Sequence, residues 1–405
     1  MWWAGALIWL ALGQQPDPAA EGLKALEARN YQEAAECFAR AWQADPNDYG
    51  ALFHLALAHS FLGKDAEAIS EYRKVLELKP GLYEAQLNLG ILLLRQRRAD
   101  EAEPYLRAAC EQRPNQARPR LHLGLALLDR GDVSGAAQAL QRALELDPAS
   151  ALAHLGLARA LARQGILDQA APHFRKAAEL DAGFQDALWE LAALYEQNGR
   201  GAEAIPIYQQ FPENPAARER LANLLIEAGR PAEAVPHLEW VATRSPSTAN
   251  RAALALAYSK SGQPEKALQE LRRALEAEPG NLDLRMMYGR MLRDQKRYAE
   301  AAGEFLRYVQ ARQDSVEGWN ELAAMLISLA QYEQALAALD RVRALGAETA
   351  GHLYLRAIVL DRLKDYRGAL AAYQAFLAAG QGKHPDEEFK ARQRIRVIQK
   401  ELDRR

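Results

Sequence analysis

Chemistry at a protein site needs a nucleophile, a base or a set of metal ligands at a workable spacing. In this 405-residue chain eight histidines and two cysteines are the obvious candidates, and they are scattered. There is no G-x-x-x-x-G-K-[ST] phosphate loop, no G-x-G-x-x-G after a strand and no H-E-x-x-H zinc helix. His54 and His122 do stand in register, separated by two turns of a 34-residue interval that runs through the sequence. Packed helices lie about 8–10 Å apart, so two intervals of a stacked array hold these rings about 20 Å apart, too far to share a metal. Cys37 and Cys110 sit two repeats apart, each in the second helix of its unit. A disulfide needs Cα atoms within about 7 Å, so two buried free thiols acting as small hydrophobes are expected. Carboxylates are plentiful, but a helical array always carries a charged solvent face, and pairs of them carry no signal. The residues predict a non-catalytic protein with no metal and no cofactor.

What must position the remaining side chains is legible in alanine. Ala34, Ala68, Ala102, Ala136, Ala170, Ala204, Ala234, Ala267, Ala301, Ala335 and Ala369 recur at gaps of 34 residues, broken only by one of 30 and one of 33. A fixed period of this length marks a stacked repeat array. The physical need is a small side chain where two helices cross closely. Leu, Ala, Glu, Arg and Gln dominate, all good helix formers, while Val and Ile are sparse, which argues against a large sheet. The length would suit two or three ordinary domains, but an array escapes that count because each unit packs only on its neighbours. In the unit 117–150, Leu121, Leu125 and Leu128 form one helical stripe and Ala136, Leu140 and Ala143 a second. Gly131 is expected to end the first helix in a left-handed conformation, Asp132 to cap the next, and Pro148 to stop it. The unit 185–214 is four residues short, with Pro212 and Pro215 ending its second helix near Gln210. A local change of pitch and a division into two stacks are expected there.

Most units show a Leu-Gly or Leu-Ala pair, often a Gly seven residues later, then Ala, a large residue and Pro. Leu55, Ala56, Gly63, Ala68, Tyr72 and Pro80 do so, as do Leu221, Ala222, Gly229, Ala234, Leu238 and Pro246. In this the chain resembles the tetratricopeptide repeat, over about residues 15–383 and in eleven near-consecutive copies. The resemblance implies an all-α, right-handed solenoid superhelix of antiparallel helix pairs whose first helices line a concave groove. It implies that Phe53, Leu57, Phe61, Leu87, Ile91, Leu121 and Leu125 look inward, beside a polar line of His54, Asn88 and His122. Some family members use an asparagine at that position to hold a ligand's peptide backbone; Asn88 matches, and the histidines are similar hydrogen-bonding groups. The expected function is a protein–protein interaction scaffold taking an extended or helical peptide segment of a protein partner. Packing of these leucines between neighbouring first helices is the plainer alternative, and an apolar ligand such as a lipid a third. Later units are more polar inside, with Arg220, Asn223, Glu227, Arg290, Arg293, Asp294, Asn320 and Glu321. The clamp by which chaperone-binding relatives hold a C-terminal carboxylate is absent. An assembly factor of a cell-envelope complex, for secretion or polysaccharide export, and a regulatory partner of a separate enzyme are the competing readings.

The compartment is read from residues Trp2 to Leu12, an apolar run of signal-peptide length and too short to span a bilayer as a helix. A cleaved signal over 1–13 is expected, placing the protein in the periplasm or outside the cell, with an uncleaved membrane anchor and a packed N-terminal helix as the alternatives. The net charge of -2 excludes the basic excess usual in nucleic-acid binders. The expected organisation is then repeats one to six over 14–214, repeats seven to eleven over 215–383, and a capping helix over 384–405. On that last helix Ala391, Ile395, Ile398 and Leu402 make one apolar stripe. Dimerisation or docking through it is the sharper alternative.

Overall fold

The computed structural model describes residues 17–404. The apolar run at 2–12 and the expected signal over 1–13 lie outside them. The chain divides into two compact units, Met1–Arg200 and Gly201–Arg405. The first holds α1 (Pro18–Glu27), α2 (Tyr31–Ala44), α3 (Tyr49–Phe61), α4 (Asp65–Leu78), α5 (Tyr83–Arg95), α6 (Ala99–Gln112), α7 (Ala117–Arg130), α8 (Val133–Leu146), α9 (Ala151–Arg163), α10 (Leu167–Leu180) and α11 (Asp186–Gln197). The second holds α12 (Gly201–Tyr208), α13 (Pro215–Glu227), α14 (Pro231–Arg244), α15 (Thr248–Lys260), α16 (Pro264–Ala277), α17 (Leu282–Asp294), α18 (Tyr298–Ala311), α19 (Val316–Ser328), α20 (Tyr332–Ala344), α21 (Ala350–Arg362), α22 (Tyr366–Gly380) and α23 (Pro385–Asp403). Among the described residues there is no strand, and the architecture is the all-α array of helix pairs that the period predicts.

Short connections make the pairs. Between α7 and α8 the chain turns through Gly131 at φ 86°, and Asp132 accepts a hydrogen bond from the Gly135 amide at 2.9 Å. The left-handed residue supplies the reversal and the carboxylate satisfies a free amide of the new helix. The same station carries Gly63, Gly165, Gly229 and Gly262, all at positive φ, but also Arg97, Lys296, Ala330 and Lys364, which hold the same turn at a steric cost.

Within a pair the alanine stations do what their size predicts. All eleven, from Ala34 to Ala369, are fully buried. A second contact sets how closely the helices approach. A Cβ added at Gly90 would lie 2.6 Å from Leu106 Cγ, one at Gly124 2.5 Å from Leu140 Cγ, and one at Gly289 2.6 Å from the Phe305 ring. In each case a large residue of the second helix drives into a gap in the first, sixteen positions earlier. Between pairs, each second helix packs on the next first helix, and the first helices α5, α7 and α9 also touch one another directly. In the second unit α12 is shortened to eight residues and followed by a turn to Asn214, whose side chain caps α13. At the far end α23 lays Ala391, Ile395, Ile398 and Leu402 on α21 and α22, around Tyr373 and Phe376, and Arg394 pairs with Asp361 at 2.5 Å. Both cysteines are free and buried, as their spacing predicts.

Candidate functional site

The first helices of the first unit present an apolar face with its polar groups already engaged. On α3, Phe53 meets the Tyr72 ring edge-on at 5.6 Å, and Leu57 is half-buried. Phe61 is 56% exposed and stacks on Tyr31 at 4.6 Å. On α5, Leu87 is only 5% exposed and belongs to the packing beneath, whereas Ile91 keeps part of its surface. On α7, Leu121 and Leu125 are both half-buried. The surface open to a partner is thus Phe53, Leu57, Phe61, Ile91, Leu121 and Leu125, contributed by three successive first helices.

Two members of the polar line bond inward, and the third is largely buried. The His54 Nδ1–H donates to the Gly50 carbonyl at 2.8 Å, and its ring stacks on Phe38 at 5.0 Å. The Asn88 amide donates to the Tyr72 hydroxyl at 3.2 Å. Burial pushes the Tyr72 hydroxyl well above its ordinary range, so it stays protonated. Burial, with a smaller push from Arg118, holds His122 down at about 4, so its imidazole is neutral near pH 7. These groups leave little for a ligand beyond the Asn88 carbonyl oxygen and unpaired ring edges.

The polar residues of the later first helices also satisfy one another. Glu321 takes Arg290 at 3.0 Å and Arg293 at 2.7 Å, Glu317 takes Arg290, and Arg293 reaches Asp294. Asn320 accepts from the His352 Nε2–H at 2.9 Å. Charge is cancelled here, not displayed. Among the described residues no group of three or more His, Cys, Asp or Glu side chains could hold a metal ion, and no helix is long and apolar enough to cross a membrane.

A second set of positions escaped the sequence reading. The fourth residue of a first helix reaches back to the carbonyl six residues earlier, across the joint between repeats. Arg120 does this to Pro114 at 3.0 Å, His154 to Pro148 at 3.1 Å, Arg285 to Pro279 at 2.6 Å and the Trp319 indole to Gln313 at 2.9 Å. The same residue also meets the second helix nineteen positions on. His154 and His173 face each other Nδ1 to Nδ1 at 2.8 Å, Arg251 pairs with Glu270 at 2.8 Å and Arg285 with Glu304 at 2.6 Å. At Trp319 the partner nineteen positions on is Ala338, and a cleft of about 610 Å³ opens there between α18 and α20. The signal was available as polar residues at a constant spacing, but it varies in type from repeat to repeat and no single residue marks it.

The profile of the family described as tetratricopeptide repeat matches residues 19–83, 66–117, 121–184, 167–218, 252–316 and 325–384. Over 82 residues the chain is 38% identical to DnaJ homolog subfamily C member 3 of Bos taurus, and 37% identical to the Homo sapiens protein of the same name. That stretch is 20% of this chain and 16% of each relative's length. Among solved structures, MamA from Desulfovibrio magneticus RS-1 is 26% identical with a TM-score of 0.39, covering 42% of this chain and 98% of that one. A second MamA crystal structure is 23% identical with a TM-score of 0.38, covering 43% and 93%.

Proposed function

This chain belongs to the tetratricopeptide repeat family, whose arrays serve as protein-interaction scaffolds, and we propose that it is a non-catalytic scaffold holding an extended or helical peptide segment against α3, α5 and α7. One observation carries this reading. Phe53, Leu57, Phe61, Ile91, Leu121 and Leu125 keep exposed surface on three successive first helices. An apolar strip of this kind gains by covering its carbon from water, at about 25 cal/mol per Å² buried. Leu87 and His122 support the strip from below, and His54 and Asn88 fix the rings at its edge. Selectivity in this reading comes mainly from shape and apolar spacing, because His54 and Asn88 are engaged internally and His122 is largely buried. We also propose export from the cytoplasm, supported by the apolar composition of residues 2–12 and tested by fractionating cells that express the full chain.

The test is to select about twelve-residue peptides from a displayed library against the chain, then measure affinity for the variant Phe53→Ser, Ile91→Ser, Leu121→Ser. Loss of about 2 kcal/mol or more of binding, at an unchanged melting temperature, is expected. Undiminished binding to the triple variant would sink the reading. A rival, assembly through the outer surface, draws on Phe389, 61% exposed on α23. It predicts that Phe389→Ser, and not the triple variant, disrupts association.

A further inference from the structure

Two second helices of the second unit, α16 and α18, carry the same electrostatic device, and the next, α20, keeps only one of its three residues. In α16, Glu270 takes Arg251 at 2.8 Å and Arg273 at 2.6 Å. In α18, thirty-four residues on, Glu304 takes Arg285 at 2.6 Å and also Arg307. Each carboxylate is largely buried and holds two guanidinium groups, one from the first helix and one from its own next turn.

In α20 the same three stations read Trp319, Ala338 and Arg341. The carboxylate is gone, the first arginine is an indole, and only the arginine of the next turn remains. Arg341 is exposed, lies 5.6 Å from the centroid of the Trp319 ring, and has no carboxylate partner among the described residues. Here a groove is open, floored by Trp319 and Leu326 and walled by Gly303, Ala338 and a Leu306 that is 45% exposed. A Cβ added at Gly303 would meet nothing within 4 Å.

We propose that this outer groove is a second docking site, for a protein segment that places an apolar side chain over Trp319 and a Glu or Asp carboxylate against Arg341. The partner would supply the group that Glu270 and Glu304 supply from within. The neighbouring repeats argue the charge complementarity directly, because they show what an arginine at this station binds. A guanidinium beside an apolar wall holds a carboxylate with a charge-assisted bond that bulk water weakens less than on an open surface. The indole N–H is already committed to Gln313, so Trp319 offers only its face.

The probe is a pair of labelled helical peptides of about twelve residues, each with leucines four apart and, one turn on, glutamate in one and lysine in the other. Titration by fluorescence anisotropy against the full chain is expected to favour the glutamate peptide by about tenfold. Arg341→Glu, at an exposed position, should invert that preference. The double variant Trp319→Arg, Ala338→Glu rebuilds the pair used next door, so it should stay folded by circular dichroism and lose both peptides by about tenfold or more. Equal binding of the two peptides, or undiminished binding to the rebuilt variant, overturns the proposal. So does self-association in sedimentation that the rebuilt variant abolishes, since the occupant would then be another copy of this chain.

Discussion

Arg285 and Glu304 meet at 2.6 Å with only 15% and 13% of their side chains exposed, one on each helix of a pair. Arg285 also holds the Pro279 carbonyl at 2.6 Å, so a single side chain fastens the helix pair and the joint before it. Deleting one member of such a pair strands the other charge away from water. Glu304→Ala is therefore expected to cost about 3 kcal/mol, read from urea denaturation. Arg285→Trp combined with Glu304→Ala, which copies Trp319 and Ala338, should cost less than the single change. Additive losses would show that the two side chains are not energetically coupled.

Helix approach predicts a second outcome. The place where a Cβ at Gly90 would sit is 2.6 Å from Leu106 Cγ, and Leu106 is fully buried with no room to retreat. Gly90→Ala is expected to destabilise by about 1–3 kcal/mol through overpacking. Pairing it with Leu106→Ala should give a loss well below the sum of the two, because the added methyl then has space. A melting temperature unchanged by Gly90→Ala would contradict the packing.

The turns between helices predict a gain. Ala330 sits at φ 57°, the station that Gly63, Gly131 and Gly229 fill elsewhere. A left-handed alanine is strained by contact of its Cβ with the following carbonyl. Ala330→Gly should stabilise the protein by about 1 kcal/mol, seen as a raised denaturation midpoint. A drop would mean that backbone entropy outweighs the relieved strain.

Acid should weaken the fold in a defined window. His122 is held at about 4, while an unfolded chain's histidine takes up its proton near its ordinary value of 6.5. The unfolded state thus binds the proton first, so the stability this site contributes is full above about pH 6.5 and is lost as pH falls toward 4. Burial shifts His173, His237 and His352 in the same direction. Stability measured from pH 7 to 4.5 should decline by about 2–3 kcal/mol, on the order set by the His122 shift alone. His122→Gln should flatten part of that decline, and a slope identical to the parent's would show that His122 does not drive it.

The parts of the molecule that depend on size and period were legible in the sequence, and those that depend on partners were not. Ala136 announces a close crossing by its type alone, and Gly131 and Asp132 announce a turn and a cap. Leu87 and Leu121 look alike as letters, but neighbouring helices cover the first and leave part of the second open. His54 and Asn88 read as free hydrogen-bonding groups because nothing in the sequence reveals Gly50 or Tyr72 as their partners. The bond from Arg120 to Pro114 and its equivalents is carried by arginine, histidine and tryptophan alike. What recurs is a reach, not a residue, and a letter-by-letter comparison of repeats passes over it.

Those bonds bear on how such a chain can be cut and rejoined. Severing the array at Pro114 would take the carbonyl from Arg120 and leave each fragment with a torn seam. Severing it at Gly131, inside the hairpin, keeps every such seam whole but parts two helices that shelter each other. Neither place is free, so a portable cassette from this protein must carry the front of its downstream neighbour with it. Shuffled or shortened versions that respect this overlap should assemble, while those trimmed flush at the prolines should fray from the trimmed end.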